Sequence, residues 1–440
     1  MRKATFRGGI PICDGKKLSK DRQTMEVRPK GDAVYPLLQH IGIPARSIVE
    51  VGDRVLVGQR IAEASGVVSA HVISSVSGRV KAIEPRKIVS GAMSEAIVIE
   101  NDGEFQTIDG LGEPRDTEKL SKEEIRAFVK DAGIVGLGGV GFPTHVKLTP
   151  KNDDAIEYVI VNGAESEPYL TADYRGMLEE TERLVGGLKL MLRLFEQAQG
   201  IILIEKNKPE AIKMMSAALK GESRIHIKAV NPKYPRGAER QAIYAATKRK
   251  MNSSMIPTDV GCMVYNVHTV IAVYRAVAES MPLLHRVLTV TGGAVANPRN
   301  YTVNIGTSYA EVLEAAGGLC KEPEKLVSGG PMMGTELLDL TVPVTKTSSA
   351  LLALSKEETA EPFESPCIRC GRCMEVCPSR LVPRKLIKCA ECSDDQRFIR
   401  LGGMECSECG ACSYNCPAGR SLTGTIKQMR RSILDERRRR

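Results

Sequence analysis

Cys367-x-x-Cys370-x-x-Cys373-x-x-x-Cys377-Pro378 is written a second time as Cys406-x-x-Cys409-x-x-Cys412-x-x-x-Cys416-Pro417. In this run three closely spaced thiolates hold one 4Fe–4S cluster, and the fourth reaches across to ligate the other cluster. The spacing therefore predicts two ligand sets. Cys367, Cys370, Cys373 and Cys416 hold one cluster; Cys377, Cys406, Cys409 and Cys412 hold the second. Four thiolates also suit zinc, but zinc spacing shows paired CxxC units rather than a third Cys three residues on and a CP after the fourth. A region built this way folds around its cofactors, and a chain that carries two clusters side by side moves electrons.

The chain has 440 residues, enough for roughly three domains, and 42% hydrophobic residues supply their cores. Of its 13 cysteines, eight fall in the two runs, which points to a reducing compartment rather than a disulfide framework. The N-terminal stretch lacks the apolar core of a signal peptide. The longest uncharged apolar stretch, Val260–Tyr274, falls short of the ~18 residues a membrane span needs. Nearly all of the +9 net charge sits at one end: Pro366–Arg440 holds 16 Lys+Arg against 8 Asp+Glu. An oxidised cluster with four thiolates carries about −2, which balances part of that excess. The run Arg437-Arg438-Arg439-Arg440 is the remainder. Aromatic residues are scarce, at 4% with no Trp, and no nucleic-acid reader motif is present. An anionic membrane surface or an acidic protein is the expected partner of the tail, not nucleic acid.

The first hundred residues read as short strands separated by Gly and Pro. Val51-Gly52-Asp53-x-Val55-x-x-Gly58-Gln59-x-Ile61-Ala62, followed by Val76-Ser77-Gly78-x-Val80, resembles the biotinyl/lipoyl-type barrel-sandwich fold. True carriers display a lysine at the hairpin tip. Here that region reads His71-Val72-Ile73-Ser74-Ser75-Val76, so residues 1–113 are expected to be a structural barrel-sandwich hybrid domain. Ser121-Lys122-Glu123-Glu124 is a capping box that opens a helix. Apolar strands over Glu157–Asn162 and Gly200–Glu205 then alternate with helical patterns over Met177–Glu196, Pro209–Leu219 and Arg236–Lys250. This predicts an α/β layer with a mainly parallel sheet over residues 114–284. Strands return at Val287-Leu288-Thr289-Val290, with one helix near Tyr309–Ala316, a small α+β module over residues 285–354. A Glu/Ser/Pro-rich linker, Ser355–Pro366, leads into the cysteine region, residues 355–440, which ends in a helix over Thr423–Arg438. The expected fold class is multidomain α/β and α+β.

A second chemical site opens the α/β region. Gly136-Leu137-Gly138-Gly139-Val140-Gly141-Phe142-Pro143-Thr144 places four glycines in six residues, letting backbone approach a flat or anionic ligand and exposing N–H groups to phosphate. It is neither a Walker A loop nor the dinucleotide fingerprint, and alone it is as consistent with a plain turn. Lys147 follows within reach of a phosphate or an electron-rich ring. Asn162-Gly163-Ala164-Glu165-Ser166-Glu167-Pro168 comes directly after an apolar strand, at the edge where α/β sheets bind ligands. Tyr234-Pro235-Arg236-Gly237-Ala238-Glu239 precedes a helix.

At these points the chain resembles the flavoprotein subunit of respiratory complex I, whose FMN and NADH site uses a Gly-rich GFPT loop, an NADE-type segment and a YxxGEE-type segment. Asn266-Val267-His268-Thr269 resembles that family's NVET stretch. The chain departs from it with Leu137 for arginine, Ala164 for an acid and Ala238 for the first glutamate. The whole order resembles a closer family, the C subunit of the Rnf ion-translocating ferredoxin:NAD oxidoreductase, over essentially all 440 residues. That order is barrel-sandwich domain, Gly-rich flavin domain, β-grasp module and doubled cysteine run. The resemblance implies a Rossmann-like FMN domain over 114–284, a soluble-ligand-binding β-grasp domain over 285–354 and a helical two-cluster ferredoxin-type domain with a basic tail over 355–440. It implies FMN lined by Gly138, Gly139, Gly141, Phe142, Lys147, Asn162, Glu165, Gly237, Asn266 and Thr269, with Glu167 and Glu239 on the nicotinamide side as the catalytic candidates.

The same resemblance implies NAD(H) as substrate, ferredoxin and the other Rnf subunits as partners, and a peripheral position on the cytoplasmic side of the cell membrane. Relatives commonly carry Cys where Ser166 and Ala172 stand, so these positions are not expected to ligate metal. Two alternatives stay open at this stage. A flavin/iron–sulfur cobalamin reductase resembles the chain from the Gly-rich loop onward, and a binding protein could carry purely structural clusters. Cys13, Cys262 and Cys320 are read as small packing groups. Cys389-Ala390-Glu391-Cys392 is read as a free, partly reactive pair rather than a third cluster site.

Overall fold

The computed structural model describes residues 6–359 and 363–439. Its N-terminal part consists of two antiparallel sheets. One orders Ala33–Pro36, Met93–Asn101, Gly78–Lys87 and Arg54–Val55; the other orders Arg46–Ser47, Arg60–Glu63 and Val72–Ile73. Ile61 and Val72 from one sheet share a core with Ile97 and Ile99 from the other, the outcome of apolar side chains on short strands. The hairpin turn joining Arg60–Glu63 to Val72–Ile73 lies ahead of the stretch His71–Val76, and it too lacks a lysine. His71–Val76 is buried instead. Ser75 N donates to the Tyr35 hydroxyl at 3.0 Å and Ser75 Oγ donates to Ile305 O at 2.6 Å. Lys346 Nζ donates to the carbonyls of His71 and Gly133, the latter at 2.7 Å. The barrel-sandwich unit is thus wedged against both neighbouring parts of the chain, which suits a structural module and not a swinging carrier.

Ser121 caps the helix Lys122–Asp131 with a complete capping box. A four-stranded parallel sheet follows, ordered Ile225–Val230, Gln199–Glu205, Tyr158–Gly163 and Cys262–Asn266. The chain enters at Tyr158–Gly163, steps outward twice to one side, then returns to the other side with Cys262–Asn266. The order therefore reverses between those two strands, and ligands bind outside the strand ends at such a reversal. Apolar runs such as Val159-Ile160-Val161 and Ile202-Leu203-Ile204 are buried, as a sheet covered by helices requires. The helical pattern expected over Met177–Glu196 resolves into two helices, Ala172–Glu179 and Thr181–Leu194, broken at Glu180. Glu180 accepts from Arg275 at 2.6 Å and pairs with Arg183 at 3.4 Å, an arrangement that a straight helix pattern does not disclose.

The β-grasp module contributes His285–Thr291, Arg299–Asn304, Lys325–Ser328, Thr335–Glu336 and Ala350–Leu354 to a six-stranded sheet, with the helix Tyr309–Ala315 packed on it. The sixth strand, Met25–Val27, comes from the N-terminal segment and pairs in parallel with Arg299–Asn304. The C-terminal part is helical: Arg372–Glu375, Pro383–Glu391, Asp395–Arg400, Ala411–Tyr414 and Leu422–Arg439. Leu386, Ile387, Phe398, Leu422, Ile426 and Ile433 form its core, with five of the paired-run cysteines packed against them. Among the described residues no helix is long and apolar enough to cross a membrane. Of the basic run Arg437–Arg440, the first three residues belong to the helix Leu422–Arg439, and Arg440 lies outside the described residues.

Candidate functional site

The strands Tyr158–Gly163 and Cys262–Asn266 end in register, with Asn162 opposite Asn266. The two asparagines stand at the sheet reversal and each fastens a loop. Asn162 Nδ2 donates to Gly237 O at 2.8 Å. Asn266 Oδ1 caps the helix Val267–Ala278 by accepting from His268 N at 2.9 Å, and its Nδ2 donates to both oxygens of Asp173 at 2.9 and 2.8 Å. Asp173 is half-buried, and its partial removal from water raises its carboxyl above the usual range.

The Gly-rich loop closes over this edge. Gly136 N donates to Phe142 O at 2.8 Å and Gly141 N to Gly136 O at 3.2 Å, so the loop is a tight return and Phe142, half-buried, serves it through its backbone. Leu137 N donates to Thr269 Oγ1 at 2.9 Å, and the Arg286 guanidinium donates to Leu137 O at 3.0 Å from beneath. Gly138 lies so close to Asn266 that an added Cβ would stand 3.3 Å from its Cβ. Gly139, at φ +103°, is different: a Cβ there would meet nothing within 4 Å. The middle of the loop is an open cradle that only a glycine leaves clear, and it fits a flat ring or a phosphate.

The segment after Asn162 is a strained turn. Glu165 and Tyr169 hold left-handed φ values of +44° and +67°, uncommon for residues with a side chain. Glu165 is buried; its Oε1 accepts from Asp173 N at 2.7 Å, its Oε2 has no hydrogen-bond partner, and burial raises its carboxyl. Ser166 Oγ accepts from Gly237 N at 2.9 Å, so this position organises the second loop rather than a metal. Glu167 faces the β-grasp module: its Oε1 accepts from Met332 N at 3.2 Å and Met333 N at 2.8 Å, and its Oε2 is buried without a partner. Burial pushes this carboxyl up to about 7. The contact is close enough that a Cβ on Gly330 would lie 1.9 Å from Glu167 Cγ.

Lys147 and Glu239 meet each other. Lys147 Nζ donates to Glu239 Oε1 at 2.9 Å and to Val264 O at 2.7 Å, and it lies 5.2 Å from the Tyr265 ring centre. Glu239 keeps 44% of its side chain exposed, beside the helix start that Gly237 and Ala238 lead into.

The cysteines separate into two cavities. One is lined by Cys367, Cys370, Cys373 and Cys416 together with Arg369, Arg384 and Arg420. The other is lined by Cys377, Cys406, Cys409 and Cys412 together with Leu381, Thr423 and Ile426. Each cavity thus draws three thiols from one run and the fourth from the other, and three arginines balance charge at the first. No three His, Cys, Asp or Glu among the described residues gather closely enough for a single metal ion; the sulfurs stand around a space. Cys367 and Cys370 are exposed and Cys409 is buried. Burial raises the Cys406 and Cys412 thiols to about 11. Four thiols around one cavity fit a 4Fe–4S cluster. Cys389 is buried in the helical core and Cys392 is exposed, and neither lines either of these two cavities. Cys262 is buried as expected of a packing group. Cys13 and Cys320 are exposed, a correction to the reading that all three pack.

The second cavity abuts the α/β layer. Tyr234 donates from its hydroxyl to Cys409 O at 2.6 Å, Gly9 N donates to Val376 O at 2.7 Å, and Arg240 pairs with Glu405 at 2.8 Å.

Family models match three successive stretches: the RnfC barrel sandwich hybrid domain over residues 4–104, the Nuo51 FMN-binding domain over 129–275 and an SLBB domain over 287–336. The chain is 39% identical over 439 residues to the C subunit of the Na(+)-translocating ferredoxin:NAD(+) oxidoreductase complex of Acetobacterium woodii, covering 100% of this chain and 99% of that one. It is 42% identical over 383 residues to the C subunit of the proton-translocating complex from Clostridium ljungdahlii, covering 87% and 83%. The chain belongs to the RnfC family.

A chain of the NAD+-reducing NiFe hydrogenase in its H2-reduced state shares the fold with this RnfC protein, with a TM-score of 0.51 at 18% identity. The likeness covers 72% of this chain and 63% of that one.

Three residues that order this RnfC protein were not visible from motifs: Lys16, Lys208 and Arg286, buried cations that hold carbonyls of the two loops. Tyr234 heads the segment Tyr234–Glu239 that the sequence singles out, but its role in fastening the cysteine region was not legible there.

Proposed function

We propose that this chain exchanges electrons between NAD(H) and ferredoxin as the subunit of a membrane-associated Rnf complex that holds FMN and two 4Fe–4S clusters. When bound, FMN converts between the two-electron chemistry of nicotinamide and the one-electron chemistry of iron–sulfur clusters. The observation that carries the reading is the adjacency of two built sites. A cysteine cavity is fastened by Tyr234 to the domain that bears the open glycine cradle.

In this reading Gly138, Gly139 and Gly141 give the flavin its approach, with Asn162, Glu165, Gly237, Asn266 and Thr269 fixing the loops around it. Phe142 shapes the return of the Gly-rich loop. Lys147 supplies positive charge at the cradle's edge and holds Glu239, whose exposed carboxylate stands where a nicotinamide can approach. Glu167, clamped by the turn Met332–Met333, orders the same edge from the β-grasp side and holds a proton near neutral pH rather than contacting substrate directly. Cys367, Cys370, Cys373 and Cys416 hold the cluster that a partner can reach, because two of them are exposed. Cys377, Cys406, Cys409 and Cys412 hold the cluster beside the α/β domain. Of the domain limits 1–113, 114–284, 285–354 and 355–440, the first two divide units that share one core, while the third and fourth units each have a core of their own; the strand Met25–Val27 crosses from the first into the third.

The absence of a spanning helix among the described residues goes with a peripheral subunit, and we place it on the cytoplasmic side, where NAD(H) is found. The basic tail beyond Arg430 supplies a contact with anionic lipid in this reading, each Lys or Arg near the surface contributing ~1 kcal/mol. Anaerobic purification followed by flavin and iron analysis, then NADH addition in the same cuvette, tests the proposal. The expected result is one FMN and about eight iron per chain, with both chromophores bleached by NADH. Iron without flavin, or clusters that NADH leaves oxidised, would sink it.

A further inference from the structure

The turn Glu165–Leu170 carries two left-handed non-glycine residues, Glu165 and Tyr169, inside a buried setting. Such a conformation persists only where the surroundings over-determine it. Two of its carbonyls, and that of Ala164 just before it, accept from the ammonium groups of two buried lysines. Lys208 Nζ donates to Ala164 O at 2.7 Å from the end of the neighbouring strand. Lys16 Nζ donates to Glu167 O at 3.0 Å and to Leu170 O, and stands 3.7 Å from Glu165 Oε2, the carboxylate oxygen that has no hydrogen-bond partner. Lys16 is 5% exposed, so its ammonium is held by these groups and not by water.

Lys16 arrives on a strap that starts at the cysteine region. Gly9 N donates to Val376 O at 2.7 Å, and Ile10 exchanges both backbone hydrogen bonds with Tyr234, at 2.9 and 3.0 Å. Gly8 packs against the Cys377 carbonyl so closely that a Cβ would stand 2.4 Å from it, and φ +72° favours glycine there as well. Farther along, Tyr169 N donates to Asp14 O at 2.6 Å, and Ser19 Oγ shares a 2.8 Å hydrogen bond with Thr171 Oγ1. The strap therefore touches the loop of one cysteine cavity at one end and the flavin-side turn at the other.

We infer that Lys16 is a positioning residue for the flavin site: its ammonium, brought in by the strap 6–19, holds the turn Glu165–Leu170 in the strained form that FMN binding requires. The inference rests on the flavin reading above. Truncating Lys16 does two separable things. It leaves Glu165 as a buried carboxylate without its cation, which costs stability. It also leaves the carbonyls of Glu167 and Leu170 without their donor, which releases the turn.

The two effects separate in a set of variants of the full-length protein, with clusters intact and flavin removed. Kd for FMN is read by flavin fluorescence quenching, with iron content and thermal midpoint measured alongside. Lys16→Met is expected to weaken FMN binding at least tenfold with iron content unchanged. Lys16→Met/Glu165→Gln, which carries no orphaned carboxylate, is expected to regain part of the thermal midpoint that Lys16→Met loses. It should still bind FMN at least tenfold more weakly than Glu165→Gln alone. If Lys16→Met does not fold, the comparison of the double variant with Glu165→Gln decides. FMN affinity within twofold in that comparison, or recovered together with the thermal midpoint, overturns the positioning role and leaves the flavin reading standing. A wild-type protein that binds no FMN overturns both.

Discussion

The hydroxyl of Tyr234 donates to the backbone carbonyl of Cys409 across 2.6 Å, and both residues are buried. One belongs to the loop that leads into the helix Glu239–Thr247, the other to the cysteine cavity beside the α/β layer. Ile10, Val376 and Ala411 pack around the pair. Together with the Arg240–Glu405 pair, this contact fastens the cysteine cavity to the α/β domain. Tyr234→Phe removes the donor and leaves a buried carbonyl unpaired, a loss of about 1–3 kcal/mol. The expected outcome in stopped-flow is an unchanged rate of flavin bleaching by NADH with cluster bleaching slowed severalfold. Equal rates at both wavelengths would mean the contact does not set the approach.

The division of the cysteines between cavities gives a second expectation. Cys416 is remote in sequence from Cys367 but lines the same cavity, while Cys377 lines the other. Cys367→Ser and Cys416→Ser should therefore remove the same electron paramagnetic resonance signal, and Cys377→Ser the other. Different signals lost in the first two variants would show that each run holds its own cluster.

Ligand spacing of this kind is legible in sequence because it is local: three thiols on one short loop declare a cluster before any fold is known. Asn162 was legible for a related reason, since it ends an apolar strand run, whereas Asn266 was reached through the likeness of Asn266-Val267-His268-Thr269 to the NVET stretch. What escaped was set by distance along the chain. Lys16 meets Glu167 from 151 residues away, and nothing in the residues around a lone lysine says that it will be buried. Glu167 reads as a nicotinamide-side candidate in the sequence, which gives no sign that the β-grasp turn Met332–Met333 packs on it. The strand Met25–Val27 has too few residues to reveal by pattern which sheet it joins. Cys13 and Cys320 looked like packing groups because cysteine usually is one, and local composition holds no counter-signal.

Gly139 offers the cleanest test of the cradle. A Cβ there meets no protein atom within 4 Å, so a small side chain projects into open space and not into the core. The remaining cost is backbone strain at φ +103°, on the order of 1–3 kcal/mol. Gly139→Val should therefore fold and keep its iron but lose FMN on gel filtration, and Gly139→Ala should show the same loss more mildly. A variant with the wild-type flavin-to-iron ratio would move the flavin site elsewhere.

Two buried groups give stability a pH dependence of opposite sign on either side of neutrality. Burial lifts Glu167 from 4.5 to about 7. Between those values the folded chain binds more protons than the unfolded one, so stability falls as pH rises through that window. Glu165, Asp173 and Glu205, also raised by burial, pull the same way. Lys346 behaves inversely: burial lowers it from 10.5 to about 7, and its ammonium is left with the carbonyls of His71 and Gly133. From pH 7 upward the unfolded chain binds the extra proton, so stability rises as pH climbs toward 10. His40 and His71 lie close to this amine; both are lowered to about 4, so they stay neutral throughout the upper window, and between pH 4 and 6.5 they, with His285, oppose the carboxyls. Thermal midpoints measured from pH 6 to 9 should therefore show an upper limb that rises from pH 7, with carboxyls and histidines offsetting each other below it. Lys346→Met should flatten the upper limb, and Glu167→Gln should turn the slope below pH 7 toward a rise. An upper limb that survives in Lys346→Met would assign it to another group.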